Sequence, residues 1–551
     1  MELNTIAAIY VKDFKGEDDA GQIRAAVGHA LETGIRTLVF EPRTYRLHSV
    51  SVIETEGFRH DADSPDAVQK ACHIPIRGIS GLVLQGAVND DGTPATVLAG
   101  YNDMKLHNQL PAILWCEDCP DLSVVNLAFT REPAYSSAGE VVYRDDNGIK
   151  VKVFEGNLCY DGMGTYCMNR FDPVTGALSG ESVTYGYGAS APWKLEKDGL
   201  LSLACPQVAA KVREGEHLSW HQGACTDFQT YFGRCDRLKL SNLRTYSANG
   251  FCMLTEFCRG ITADRVVFKP GGNRLFTAPR DAWKLFKCTG QLSISRMEVQ
   301  GVRMDGQNMH SNWLVLERLD NSREALFHCL HTYAPLQAGT MVRVYTGEVS
   351  HLLEISEWSP EGRSAKGYYY RIAFTRDLPA GADVGTLAAA DCWEPERYIC
   401  TDSSFINIAG AGHLVRHSHL YLINCLYKNT MNPGVLLGAE LPTHSEGGHA
   451  SDILIKGCEF DNCGFFPRYG ASGCIGIKSS GFSGKFNKHV LILDNVFKNA
   501  QLGVHAVDAD EVFLLGNRFV NVETPLLCDS AVGGTVTELG SVSGEAASLQ
   551  G

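Results

Sequence analysis

The sequence predicts an all-β fold: a parallel β-helix with an N-terminal capping helix and two inserted small β-barrels. Three observations predict it. A short apolar pattern recurs with a period in the low twenties, an amphipathic helical segment precedes the strands, and residues 133–222 and 314–395 interrupt the recurrence.

The pattern is an aliphatic residue, four others, then an aromatic or β-branched residue, often with Asn two positions on. It reads Ile455-Lys-Gly-Cys-Glu-Phe460 with Asn462, Ile492-Leu-Asp-Asn-Val-Phe497 with Asn499, and Leu514-Leu-Gly-Asn-Arg-Phe519 with Asn521. Earlier copies pair Val124 with Phe129, Leu240 with Thr245, Ile261 with Val266, Ile294 with Val299 and Leu422 with Tyr427. Phe497 and Phe519 lie 22 residues apart, and Tyr427 and Phe460 lie 33 apart, as a coil with a loop at one corner would. Stacking such coils puts inward side chains into ladders and lets turn Asn residues bond the coil beside them. A β-sandwich uses similar strands, but it has no reason to hold one register over eight copies.

The open ends of a coil stack need covers. Gln22 to Thr33 supplies one, with Ile23, Val27 and Leu31 on one helical face and Gly34 as the stop. Thr37-Leu-Val-Phe40 is the first buried strand. The entry Val11-Lys-Asp-Phe14 with Glu17-Asp18-Asp19 resembles that of pectin-lyase-like right-handed parallel β-helix proteins. The expected divisions are 1–132 for the cap and first coils, 133–222 for one barrel and 223–313 for the coils with the chemistry. A second barrel takes 314–395, further coils 396–530 and a frayed tail 531–551. Within the first barrel, Asp146-Asn147-Gly148 is a hairpin turn between Val141-Val-Tyr143 and the strand from Ile149 to Val153. In the second, strands run from Met341 to Tyr345 and from Tyr368 to Phe374.

A net charge of −14 over 551 residues argues against nucleic acid or an anionic membrane as partner. No run of residues approaches the roughly 18 apolar positions of a spanning helix. The start Met-Glu-Leu-Asn-Thr has neither basic nor apolar leader character. A cytoplasmic bacterial protein is expected; a mature secreted or periplasmic form would start the same way. The 19 cysteines read mostly as buried free thiols, with packing favoured over metal for Cys116-Glu-Asp-Cys119 and for Cys458, Cys463 and Cys474. No cofactor is implied, for there is no phosphate loop with its lysine and no His-Glu-x-x-His; no metal site is expected.

The chemistry centres on Asp281 and Asp305, each opening a strand-like hexamer and lying 24 residues apart, about one coil. Coils stack at about 4.8 Å, so the two carboxylates share a corner. Asn249-Gly-Phe-Cys-Met-Leu254 has the same shape and extends the ladder to three. One acidic corner residue is usually a turn cap. Two stacked carboxylates repel and raise a pKa, a cost that a working site can use. Arg274, Arg280 and Arg303 offset negative charge, Trp283 and Trp313 offer faces to a sugar, and Asn308 and His310 share a side of the strand after Asp305. The loop Thr443-His-Ser-Glu446-Gly-Gly-His449 brings a third carboxylate.

With those residues the chain resembles glycoside hydrolase family 110, bacterial α-1,3-galactosidases that remove terminal galactose with inversion. The resemblance covers most of residues 5–525. It includes the cap, both insertions and Arg213-Glu-Gly-Glu-His-Leu-Ser-Trp-His-Gln222. It is sharpest at Asp281-Ala-Trp283 before Cys288-Thr-Gly290, at Met304-Asp305-Gly-Gln-Asn308-Met-His310 and at Ser445-Glu446-Gly447. The family pattern carries a second acidic residue where this chain has Met304, and Ala282 and Lys284 also differ from it. The resemblance implies an exo-acting α-galactosidase working on an oligosaccharide or glycoconjugate. Asp281, Asp305 and Glu446 would be catalytic, and Arg274, Trp283, Arg303, Asn308, His310 and Trp313 substrate-binding. The insertions suggest a homodimer. Two other readings stay open: a β-helix polysaccharide lyase or fructotransferase, which the acidic balance disfavours, and a glycan-binding β-helix without catalysis.

Overall fold

A short alternating strand buries one face only, so it needs a neighbour above, a neighbour below and a shared interior. In the computed structural model this need is met by stacking. The structure describes residues 7–54, 69–101, 110–184, 188–223, 227–330, 334–441, 443–468, 470–482, 484–528, 536–539 and 542–544.

Each coil has three sides, and like sides pair in parallel. The first side includes Thr289–Ser295, Arg397–Thr401, Leu420–Ile423 and Ser451–Lys456. The second includes Glu298–Val302, Ser404–Ile408, Leu426–Thr430 and Glu459–Cys463. The third includes Phe251–Glu256, Trp283–Phe286, Gln307–Asn312, His413–Val415 and Val435–Leu437. One residue at positive φ turns the first side into the second. Asn242, Arg265, Arg296, Asp402, Asn424 and Asp494 do this with φ between 51° and 54°. The same device between the third and first sides is followed by an inward thiol at Cys119, Cys235, Cys258 and Cys288. All described cysteines are free, and most are buried.

The interior is a set of ladders. Phe405, Tyr427, Phe460, Phe497 and Phe519 stack ring on ring, with successive centroids 5.2, 4.8, 5.1 and 4.8 Å apart. On the outside of the same strands the expected Asn ladder forms. Asn462 Nδ2 donates to Asn429 Oδ1 at 3.0 Å, Asn429 to Asn407 at 3.2 Å, and Asn521 to Asn499 at 2.9 Å. One copy of the pattern sits two residues late. Leu240 pairs with Ala263 and Thr245 with Phe268, so the copy is 263–268 and not the one opened by Ile261. Ala263 is too small to mark the pattern, and a slip of two keeps every side chain on its face.

The cap is a helix, Asp19–Thr33, begun by Asp18, whose carboxylate accepts from Gly21 N–H, and ended by Gly34 at φ 76°. Asp18 also accepts from the backbone N–H groups of His48 and Ser49, which ties the helix to the first coil. Ile23 and Val27 are buried as expected, but Leu31 is exposed; Ala20, Ala26 and Ala30 complete the buried face. A strand at Ala8–Tyr10 precedes Thr37–Val39 and pairs with it.

The second insertion closes as a six-stranded barrel from Leu314–Leu319 to Leu387–Ala390. The first was expected as a barrel and is instead a seven-stranded antiparallel sheet, with Leu178–Ser179 and Lys194–Leu195 at its two edges. Beyond residue 530, Val536–Leu539 and Val542–Gly544 pair in parallel with the preceding coil, so the stack continues into the stretch expected to fray. Residues 545–551 lie outside the described part. Among the described residues no helix is long and apolar enough to cross a membrane.

The insertions leave from opposite ends of the third side. The first joins second-side Leu127–Glu132 to third-side Phe228–Gly233, and the second joins third-side Gln307–Asn312 to first-side Arg397–Thr401. The outer face of the third side therefore becomes a floor between two walls.

Candidate active site

Register places the acids. Trp283 pairs with Gln307, so Asp281 sits one rung from Asp305 as the spacing of 24 requires. The next third-side strand pairs Gln307 with His413, which sets Asp305 beside Ala411. Ala411 N–H donates to Asp305 Oδ1 at 2.7 Å, and Asp305 N–H donates to Asp281 Oδ1 at 3.2 Å. Asn308 Nδ2 lies 3.4 Å from Asp281 Oδ2. Asn249 is not the third member. Met253 pairs with Trp283, which puts Phe251 over Asp281 and leaves Asn249 two residues away.

Glu446 comes from the opposite end of the floor. Glu446–Gly447 pairs antiparallel with Ser311 and Asn312. Trp313 Nε1 donates to the Glu446 carbonyl at 3.0 Å, and Asn312 Nδ2 to the Ser445 carbonyl at 3.2 Å. The Glu446 carboxylate faces back along the floor. It accepts from Arg416 Nε at 3.1 Å and lies 3.8 Å from His310 Nε2. A Cβ on Gly447 would fall 2.6 Å from the Asn312 carbonyl carbon, so the loop needs glycine to lie this close to the strand.

The three carboxyls differ in charge. Asp305 is 3% exposed; burial and then the Asp281 charge push its carboxyl well above the usual range. Asp281 is 5% exposed and is also raised by burial, but Arg280 and Lys284 oppose the shift. Glu446 is 7% exposed, and burial pushes it up too. His310, Arg416 and Lys284 outweigh that and hold it ionised below the usual range. Burial pushes the His310 pKa down and the Glu446 charge pulls it up, so these two groups titrate as a pair. The floor thus holds two carboxyls that burial raises, one of them opposed by Arg280 and Lys284, and a third carboxyl paired with Arg416. Environments that drive like groups apart are what divide acid from base in an active site.

The other expected residues divide. Asn308 and His310 face this floor on alternate positions of one strand, as read. Trp283 does not. Its ring is fully buried in the coil interior, where Nε1 donates to Thr255 Oγ1 at 3.1 Å, so no face is left for a sugar. Alternation from Asp281 sends position 283 inward once the corner is turned. Trp313 is also fully buried, packed on Tyr345, His449 and Phe482, and it anchors the Glu446 loop instead of meeting a ligand. Arg303 is buried against the first insertion, with Nη2 3.2 Å from Ser182 Oγ. Arg274 is half-buried near Gly271, and burial lowers its pKa. The cations that act most on the Asp281 and Asp305 carboxyls are Arg280, Lys284 and Arg416. Lys284 had a readable signal, since it stands opposite Asn308 in register. Arg416 had none, because its role depends on a loop folding back 30 residues later.

No family profile matches the chain. It is similar to Alpha-1,3-galactosidase A of Bacteroides fragilis, 23% identical over 508 residues that span 83% of this chain and 77% of the relative. A relative of the same name from Bacteroides thetaiotaomicron is 23% identical over 313 residues, 53% of each chain. Among solved structures, the Azotobacter vinelandii mannuronan C-5 epimerase AlgE6 A-module covers 97% of this chain and 99% of its own, at 11% identity and a TM-score of 0.37. A likeness that loose aligns no side chain.

Proposed function

We propose that the chain is an exo-acting glycoside hydrolase that removes a terminal α-linked galactose, or a closely related sugar, with inversion. The observation that carries the reading is the pairing of two buried carboxyls on one walled floor, with Asp305 N–H donating to Asp281 Oδ1 at 3.2 Å and with Arg280 and Lys284 opposing the rise at Asp281. The relatives named Alpha-1,3-galactosidase A support the sugar and the linkage. The walls at both ends of the floor support attack at a chain end.

Asp305 is the proton donor. Its proton passes to the glycosidic oxygen as the bond from that oxygen to C1 breaks. Water attacks C1 from the other face, and Asp281, whose ionised form Arg280 and Lys284 favour, takes the water proton. The products are the free sugar of opposite anomeric form and the shortened glycan. Asp281 then holds a proton and Asp305 does not, and exchange with solvent water resets the pair. Inversion works with carboxyls about 6.5–9.5 Å apart. Side chains diverging from rungs about 4.8 Å apart can span the lower part of that range. Asn308 and His310 line the same floor and are suited to hold sugar hydroxyls. One observation favours a second reading, in which Glu446 is the base: it is the carboxylate held ionised.

The test compares Asp281→Asn, Asp305→Asn and Glu446→Gln on α-1,3-galactobiose and on 4-nitrophenyl α-galactoside, with the product anomer followed by NMR. Loss of an acid or base lowers the rate by about 10²–10⁴-fold. Asp305→Asn is expected to spare the aryl substrate, whose leaving group needs little protonation. Azide is expected to rescue whichever variant has lost the base. If both Asp variants stay within tenfold of the parent on the disaccharide, the pair is not catalytic. A product of retained configuration rules out inversion.

A further inference from the structure

A second cavity opens between the barrel and the coils, away from the two aspartates. It measures about 610 Å³. Arg343, Tyr345 and Glu394 of the second insertion line one side, and Asp452, Phe486 and Lys488 of the coils line the other. Trp313, Tyr345 and His449 pack against one another, with ring centroids 5.4 Å apart for Trp313 with Tyr345, 5.4 Å for Trp313 with His449 and 5.0 Å for Tyr345 with His449. This packed wall stands between the cavity and Glu446, whose carbonyl Trp313 holds. The cavity is therefore a separate place and not a continuation of the floor.

Its lining mixes signs. Glu396 and Asp452 stand against Arg343 and Lys488, while burial raises the carboxyls of Asp391 and Glu394, the latter to about 8, and His419, His449 and His489 complete the polar lining. With opposite charges near balance, the lining holds no net field to capture phosphate, sulfate or a uronate. The two cations disfavour a polyamine. What remains is a neutral ligand rich in hydroxyls, which can donate to the carboxyls, accept from Arg343 and Lys488, and rest its carbon faces on Tyr345 and Phe486. Pockets of roughly 300–1,000 Å³ take small organic ligands, and a mono- or disaccharide fits well within that size.

We infer that this cavity is a second saccharide-binding site, formed jointly by the barrel and the coils, for a neutral mono- or disaccharide. Its lining residue Glu394 comes close to the Glu446 loop and to the strand that precedes it. Glu394 Oε2 lies 3.9 Å from His417 Nδ1, next in sequence to Arg416. A Cβ on Gly448, two residues past Glu446, would meet Glu394 Oε1 at 3.0 Å. The site does not depend on the hydrolase reading, because a protein without any catalysis would still bind here.

The experiment measures binding of α-1,3-galactobiose and D-glucose to the full-length Asp305→Asn protein by calorimetry and saturation-transfer NMR. It is then repeated with Arg343→Met or Lys488→Met added. Both cations are exposed at the rim, so these changes spare the core. Two saccharide sites are expected in the Asp305→Asn protein, and either added change is expected to weaken one of them by tenfold or more. Equal binding with and without the rim changes overturns the proposal. So does binding of spermidine or inorganic phosphate in the cavity without any saccharide. Absence of hydrolysis by the unmodified protein would count against the function proposed above and leave this result unaffected.

Discussion

Two columns of this molecule stack like on like at the same rung spacing, with opposite effects. Inside the second side, Phe405, Tyr427, Phe460, Phe497 and Phe519 lie nearly parallel, and each ring covers the next. At the edge of the third side, Asp281 stacks on Asp305, and each charge makes the other harder to form. The first column adds dispersion and apolar burial at every step. The second concentrates electrostatic cost in one place, and the cations nearby relieve only part of it. A repeating scaffold makes both inexpensive to build, since the neighbour is always one coil away.

The largest expected effect lies in the acid column. Asp305→Asn is expected to lower kcat/KM on α-1,3-galactobiose by about 10²–10⁴-fold, read by galactose release, while circular dichroism stays unchanged. In the parent, activity is expected to fall as pH rises through the elevated Asp305 pKa, because the donor must keep its proton. A donor with an ordinary carboxylate pKa would move that fall to acid pH and break the comparison. Next comes the aromatic column. Phe460→Ala removes a ring with neighbours on both faces and is expected to cost about 3–5 kcal/mol in urea unfolding.

A third expectation joins the two columns. The folded Asp305 pKa lies above its reference value of 3.8, so folded protein keeps a proton that the unfolded chain gives up. This contribution to stability is complete below that reference value and is lost as pH rises through the folded pKa. Asp305→Asn removes the loss, with each pKa unit of elevation worth about 1.4 kcal/mol. The variant is therefore expected to melt higher than the parent at pH 7–8, with the difference shrinking toward pH 4. An equal difference at both pH values would show that the carboxyl carries no such cost. The smallest effect is on the outer Asn ladder. Asn462→Ala is expected to cost about 1 kcal/mol, one net hydrogen bond, in the same unfolding assay.

Sequence alone carried the coil stack, because the recurring Phe and Asn positions must align for any copy to be buried. It carried the Asp281 and Asp305 pairing for the same reason, since a plain coil of 24 residues leaves no other register. Asn249 failed because the coil between it and Asp281 is longer, and the extra residues shift the corner by two. Trp283 and Trp313 failed for another reason. A corner resets the alternation of inside and outside, and no local pattern says which way the first residue after it points. Open sheet and closed barrel were not distinguished for residues 133–222, because strand closure depends on pairings between distant edges. The ionised state of Glu446 depends on Arg416, a contact across a folded loop that no spacing encodes.

Each insertion begins and ends at neighbouring corners, where other coils have only a turn. Such a segment can be lengthened, shortened or exchanged at modest entropic cost and without moving any strand beneath it. Evolution can then treat bond cleavage and glycan selection as separate problems. Asp281 and Asp305 belong to the stack and stay fixed, whereas the walls are insertions that can be exchanged without moving them.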